Sequence, residues 1–169
     1  MDTLSHLQNQ GIQTYVTSFE NSIINITADK LIVKDGKVYD WAYENDANGL
    51  SFSTTTGIIN ADVEIANIIS YHNGNSNADT EGLEGRNYSN IEINGNVNIV
   101  DVSSYTTAIG VSIDNNSSIN INGNLDINHI VGGIQKEFSS SNAINLLFGV
   151  LGCSFASIRI FRIRFFSVL

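Results

Sequence analysis

Proline is absent from the 169 residues and cysteine occurs once. The first absence excludes collagen-like and Pro-rich linker sequence, and the second excludes an internal disulfide framework. Charge is also scarce, with Asp, Glu, Lys and Arg at 15% of the chain against a usual quarter, which excludes a coiled coil. Bases are the rarest of all. Residues 1–142 hold all 17 acids and only five of the eight bases, a net charge of −12, whereas residues 143–169 hold three Arg and no acid, a net +3. A body this acidic argues against nucleic-acid binding, which depends on phosphate neutralisation by Lys and Arg. The stretch Met1 to Gln10 carries neither a basic n-region nor an apolar h-region. No signal peptide is visible, so an exported form would need sequence upstream.

What remains is apolar residues at 42%, enough for one domain with a core. Ile (24) and Asn (23) together make up 28% of the chain. Their arrangement is repetitive. Gly82 to Ile99 aligns without a gap on Gly110 to Ile127 at an offset of 28, placing Ile91 on Ile119, Ile93 on Ile121 and Asn94-Gly95-Asn96 on Asn122-Gly123-Asn124. Gly49 to Ile65 matches with one deletion, and Ile24 to Val33 matches the second half with one extra residue. The anchors Leu31, Val63, Val97 and Leu125 are spaced by 32, 34 and 28 residues. The surplus length lies in polar stretches such as His72–Thr80, expected to form loops.

Within a repeat the apolar period is two, as in Ile91, Ile93, Val97 and Ile99, which predicts short half-buried strands. The Asn-Gly between them is a turn signal. In an antiparallel protein it would close a hairpin. The regular recurrence favours a parallel β-solenoid, in which each repeat is one coil and Ile91 stacks on Ile119 at about 4.8 Å, the strand spacing. Ile24, Ile26, Ile59, Ile91, Ile93, Ile119 and Ile121 would then point inward. Asn94 would lie beside Asn122 and Asn96 beside Asn124, where amides both donate and accept along the axis. Charged residues stacked in the same way would repel, which suits their scarcity. Turn formation and ladders account for these Asn residues more simply than a ligand role.

Runs such as Ile24-Asn25-Ile26-Thr27-Ala28-Asp29-Lys30-Leu31-Ile32-Val33 and Ile119-Asn120-Ile121-Asn122-Gly123-Asn124-Leu125-Asp126-Ile127 resemble the passenger repeats of bacterial autotransporters and related large surface adhesins. The resemblance covers roughly residues 20–134. It implies an all-β, right-handed parallel β-helix of about three to four coils. It also implies a place at the cell surface, reached through the outer membrane, and a structural and adhesive role without catalysis. Partners would be a host or bacterial surface glycan or protein. The chain lacks the translocator barrel of that family and has few coils, so it reads as a fragment of a passenger. No functional residue carries over, because adhesive passengers share no site motif.

On this reading residues 1–19 are an irregular lead-in, 20–134 are the solenoid, 135–142 are a Ser-rich junction and 143–169 are a foreign apolar, basic tail. The repeat calls for a turn element near residues 150–152, where Val150, Leu151 and Gly152 stand instead. Three readings compete for the tail. Ala143–Ile158 is short for a membrane helix. Ile158, Ile160 and Ile163 alternate as in an outer-membrane strand, yet one strand closes no barrel. Out-of-frame or otherwise aberrant sequence would lose the repeat in this way. Such a tail is expected to pack poorly or be disordered, to drive self-association, and to improve solubility when removed.

Chemistry is sparsely represented. Polysaccharide lyases and hydrolases also use parallel β-helices, so a carbohydrate-active enzyme is the alternative function. It would need a base beside metal-held carboxylates or an acid pair across a cleft. Arg86 with Glu81, Glu84 and Asp79 is the one such grouping. Asn75, Asn77, Asp79 and Glu81 alternate oxygen ligands loosely like a calcium loop, but Thr80 replaces the required Gly and Arg86 the bidentate Glu, so a polar loop explains them. His6, His72 and His129 are isolated in sequence, with His129 expected on the outer face. Cys153 is alone. Neither catalytic residues, a metal nor a cofactor is therefore assigned. Tyr39, Trp41 and Tyr43 form an alternating aromatic stripe, the best candidate ligand surface, since such a face can stack on sugar rings. A cap over a solenoid end is the plainer explanation.

Overall fold

A chain that alternates apolar and β-branched residues with Asn, Ser and Thr can bury one face of each extended segment while leaving the other in water. In a computed structural model of the chain, residues 12–14, 17–40, 47–72, 79–104, 107–132, 140–146 and 157–166 are described, and their regular structure is all strand. The strands are β1 (Ile12–Thr14), β2 (Thr17–Glu20), β3 (Ile23–Lys34), β4 (Lys37–Asp40), β5 (Ala47–Ser53), β6 (Thr56–His72) and β7 (Asp79–Arg86). They continue as β8 (Asn90–Ile93), β9 (Val97–Ser104), β10 (Thr107–Ile113), β11 (Ser118–Val131), β12 (Ser140–Leu146) and β13 (Ser157–Phe166).

Two sheets result. The larger has the order β1-β3-β6-β8-β11-β13, with β4 beside β6 and β9 between β6 and β11; the smaller has the order β12-β10-β7-β5-β2. Every pairing among the described strands is parallel. The chain alternates between the sheets and returns to each one level further along. Leu31, Val63, Val97 and Leu125 pair in succession, with the spacings of the sequence repeat. Ile93 pairs with Ile59 on one side and Ile121 on the other. Asn94-Gly95 therefore closes no hairpin. It carries the chain from β8 into β9 within one sheet.

The core lies between the sheets. Ile24, Ile26, Ile59, Ile91, Ile93, Ile119 and Ile121 are all buried in it, as the period of two requires. From the smaller sheet come Ala47, Leu50, Phe52, Leu83, Ala108, Val111 and Ile113, and Phe52 stacks on Phe19 at 5.7 Å. A hydroxyl cluster interrupts the apolar core: Thr80 Oγ1 donates to Ser70 Oγ at 2.8 Å, and Ser70 lies 3.0 Å from Ser104 Oγ. A buried Ser column also ties the levels together. Thr55 N donates to Ser89 Oγ, and Ser89 N to Ser117 Oγ, at 3.1 and 3.0 Å.

Corners demand left-handed backbone, and they recur in columns. Asp35, Asn67, Asp101 and His129 have φ of 61°, 56°, 58° and 54°, and Asn21, Thr54, Asn87 and Asn115 have 48°, 51°, 54° and 44°. Asn, Asp and His tolerate this region better than other side-chain-bearing residues. The abundance of Asn is thus partly a corner requirement.

Three of the expected boundaries move. Residues 1–19 contain β1, paired with Leu31–Val33, and most of β2, paired with Leu50–Ser53. The Ser-rich junction contributes the start of β12, which pairs along Thr107–Ile113. The tail contains β13, with Ile158, Ile160, Ile163 and Phe165 in register with Ile119, Ile121, Leu125 and Ile127. The larger sheet is consequently six levels deep along its main path, beyond the three to four coils counted from the repeat. The physical reason is that a parallel ladder requires only alternation and backbone pairing. Asn-Gly or Ala-Asp marked the earlier coils, but the last one replaces that element with a turn one residue shorter. One other expectation needs adjusting. Asp79 and Thr80, placed in a loop, belong to β7. Among the described residues no helix is long and apolar enough to cross a membrane.

Candidate functional site

Among the described residues, strand alternation sets one charged cluster that crosses several levels. In β7, Leu83 belongs to the core, and a Cβ on Gly85 would meet Ile119 Cδ1 at 3.1 Å. Glu84 and Arg86 therefore fall on the opposite face of the strand. Glu84 is nevertheless only 6% exposed. Its Oε2 accepts hydrogen bonds from Asn48 Nδ2 at 2.9 Å and Ser51 Oγ at 2.5 Å, both on the neighbouring β5. Arg86 Nη1 lies 3.6 Å from Glu84 Oε1, and Arg86 Nη2 lies 4.0 Å from Glu20 Oε1 on β2. Asp114 closes the group from the turn after β10. Burial pushes its carboxyl above the ordinary carboxylate range, opposed by the Arg86 charge and by a hydrogen bond from the Asn87 backbone.

One guanidinium thus faces carboxylates from three levels. Chemically it is a fixed cation, unable to act as a base because it does not deprotonate in proteins. β5 holds Glu84 through both Asn48 and Ser51, so its carboxylate braces β5 against β7. Glu81, grouped with Arg86 on sequence grounds, is buried beside Asn48 and Ile109 instead. Among the described residues no group of three or more His, Cys, Asp or Glu is placed to hold a metal. Asn75 and Asn77 lie outside the described residues.

The aromatic stripe is described only at Tyr39, whose backbone pairs with Tyr71; Trp41 and Tyr43 lie outside the described residues, as do His6 and Cys153. His72 ends β6, in register with Asp40. His129 is exposed, as expected of an outer position, and its Nδ1 lies 2.5 Å from Asp101 Oδ1.

The more extensive surface feature is a set of axial polar ladders on the larger sheet. Asn94 Nδ2 donates to Asn60 Oδ1 at 2.9 Å, and Asn122 Nδ2 to Asn94 Oδ1 at 2.7 Å. In a second column Asn96 donates to Asp62, and Asn124 to Asn96, in each case through both backbone N and Nδ2. Asn67 Nδ2 donates to Asp35 Oδ1, Asn115 Nδ2 to Asn87 Oδ1, and Ser118 Oγ to Asn90 Oδ1. Lys30 pairs with Glu64 across one level. The Asn94–Asn122 and Asn96–Asn124 neighbours were legible from the repeat. The Asp101–His129, Lys30–Glu64 and Ser51–Glu84 contacts were missed. Their separations of 28, 34 and 33 residues equal one circuit of the chain, and that spacing was the signal available for finding them.

Compared with family models, with curated proteins and with solved structures, the chain matches none.

Proposed function

We propose that the chain is a right-handed parallel β-helix belonging to the passenger of a secreted bacterial surface adhesin, with a structural and binding role and no catalysis. The observation that carries this reading is the stack of parallel levels whose exposed face is lined by amide ladders, the arrangement that the Ile-Asn runs of autotransporter-like passengers imply. The ladders spend side-chain hydrogen bonding on axial cohesion, which suits a rod that holds its shape outside the cell. Their exposed amide and hydroxyl groups offer donors and acceptors at the strand spacing to a surface glycan or protein. The cell surface, reached through the outer membrane, is the proposed location.

Binding of the purified chain, immobilised on beads, to a glycan panel and to host or bacterial cell surfaces tests the function. Saturable binding that follows one glycan or protein class supports it, and no binding above an uncoated bead counts against it.

The Arg86 group supports a second reading, a carbohydrate-active β-helix enzyme, because a cation between carboxylates could meet an acidic sugar. Calcium-dependent cleavage of an acidic polysaccharide, lost in Arg86→Ala, would put this reading first.

A further inference from the structure

Asn94-Gly95 and Asn122-Gly123 stand in identical Ile-Asn-Gly-Asn sequences, one level apart. Gly is required in both, since a Cβ at Gly95 would lie 2.1 Å from Ala61 O and one at Gly123 would lie 2.3 Å from Gly95 O. The same lack of a Cβ leaves the glycine nitrogen unhindered beside the preceding side-chain amide. The two sites differ in what surrounds them. Asn94 is held at both ends: its Nδ2 donates to Asn60 Oδ1, and its Oδ1 accepts from Asn122 Nδ2. Asn122 is held through its Nδ2, which donates to Glu92 Oε1 at 2.9 Å and to Asn94 Oδ1 at 2.7 Å. On its other side the register slips. Ile121 pairs with Ile160 and Asn124 with Arg162, so Asn122 and Gly123 together face a single residue of β13.

We propose that Asn122-Gly123 is a self-modifying site, at which deamidation breaks the amide ladder at the seam between β11 and β13. The Gly123 nitrogen, losing its proton, attacks Asn122 Cγ. The new N–Cγ bond forms as the Cγ–Nδ2 bond breaks, and the amide leaves as ammonia, carrying the proton. Water then opens the succinimide at either carbonyl to give aspartate or isoaspartate, and no oxidant or reductant is needed. The product loses the Nδ2 donor and sets a carboxylate against Glu92 Oε1 and Asn94 Oδ1, two acceptors that had shared it. Isoaspartate also adds a methylene to the main chain just before Asn124 and Leu125, which shifts their register. At Asn94 the ladder clamps the same chemistry from both sides, because cyclisation there must pull Nδ2 from Asn60 and Oδ1 from Asn122, whereas the described bonds of Asn122 all run through Nδ2 to one side and the register slips on the other.

The test is built into the sequence. The full chain is incubated folded, and separately unfolded in denaturant, in mildly alkaline buffer. Tandem mass spectrometry then follows the mass gain of amide-to-acid conversion at each Asn, and isoaspartate is scored independently. Unfolded, Asn94 and Asn122 should convert at similar rates, since their neighbours are the same. Folded, Asn122 should convert several times faster than Asn94. The Asn122→Asp variant should show faster hydrogen exchange across 125–131 than the parent. Equal folded rates, faster conversion at Asn94, or no conversion at Asn122 over a period in which the unfolded chain converts would each overturn the proposal. So would unchanged exchange in the variant.

Discussion

Asn124 donates both its backbone N–H and its side-chain Nδ2 to the single Oδ1 of Asn96, at 3.0 and 3.1 Å, and Asn96 does the same to Asp62, at 2.7 and 3.2 Å. One oxygen on each level therefore receives the next level twice. The column is directional, since the acid at its base only accepts, while the amides above both accept and donate.

Asn96→Asp should break this column at its centre. The substitution keeps the acceptor for Asn124 and the backbone donor to Asp62, but removes the Nδ2 donor and sets two carboxylates side by side. The loss of one side-chain hydrogen bond and the added surface repulsion should together cost about 1–2 kcal/mol, partly relieved by salt. Denaturant unfolding measures it, and the double variant with Asp62→Asn should recover much of the loss. A double variant no more stable than the single one would show that the charges are not the cause.

Glycine at the turn should be harder to replace than glycine in the strand. A Cβ on Gly123 meets the Gly95 carbonyl oxygen and carbon at 2.3 and 2.6 Å, backbone that cannot step aside locally. Gly123→Ala should cost about 1–3 kcal/mol, the usual range for overpacking. A Cβ on Gly85 meets the end of Ile119, at 3.1 Å, and the gain in strand propensity offsets the crowding. Gly85→Ala should stay within about 1 kcal/mol of the parent. Thermal melts of the two variants compare them directly.

Ile93 is fully buried and lies between Ile59 and Ile121. Ile93→Ala should destabilise by about 2–5 kcal/mol, the range for deleting a buried aliphatic side chain. Exposed Ile23→Ala should cost under about 0.5 kcal/mol. Comparable losses in the two variants would mean that the inward face has been misassigned.

Asp114 carries the pH dependence. Burial raises its folded-state pKa above the unfolded value of 3.8. The folded state therefore binds this proton more tightly, so ionised Asp114 disfavours the fold at neutral pH. Its contribution improves as pH falls through the folded pKa and levels off below the unfolded one. Asp114→Asn should accordingly raise the melting temperature at pH 7, and the gain should shrink as the pH approaches 3.8. A gain that grows on acidification would contradict the burial argument.

Removal of residues 133–169 takes β12 and β13 from the ladders of β10 and β11. Those edges would then present unpaired N–H and C=O groups beside Ile119, Ile121 and Leu125. The truncated chain should melt lower and aggregate sooner than the full one, the reverse of what the tail's composition alone suggests. Sedimentation and circular dichroism on both chains decide the matter. Equal melting with improved solubility would show that the tail is dispensable.

The class of the fold was legible from the residues, because alternation over a recurring length can be read without knowing any contact. The anchors Leu31, Val63, Val97 and Leu125 name their own neighbours, and so do Asn94 with Asn122 and Asn96 with Asn124. The tertiary structure alone decided what identity does not mark. Ile163 stands over Leu125 although its turn lacks Asn-Gly, since backbone pairing tolerates a missing residue that an alignment of motifs does not. His129 meets Asp101, and Glu20 and Asp114 join the Arg86–Glu84 pair of β7, because successive circuits superpose at the corners. Dissimilar side chains one circuit apart share the spacing of the repeat but not its residue identities, and their meeting depends on where the backbone turns.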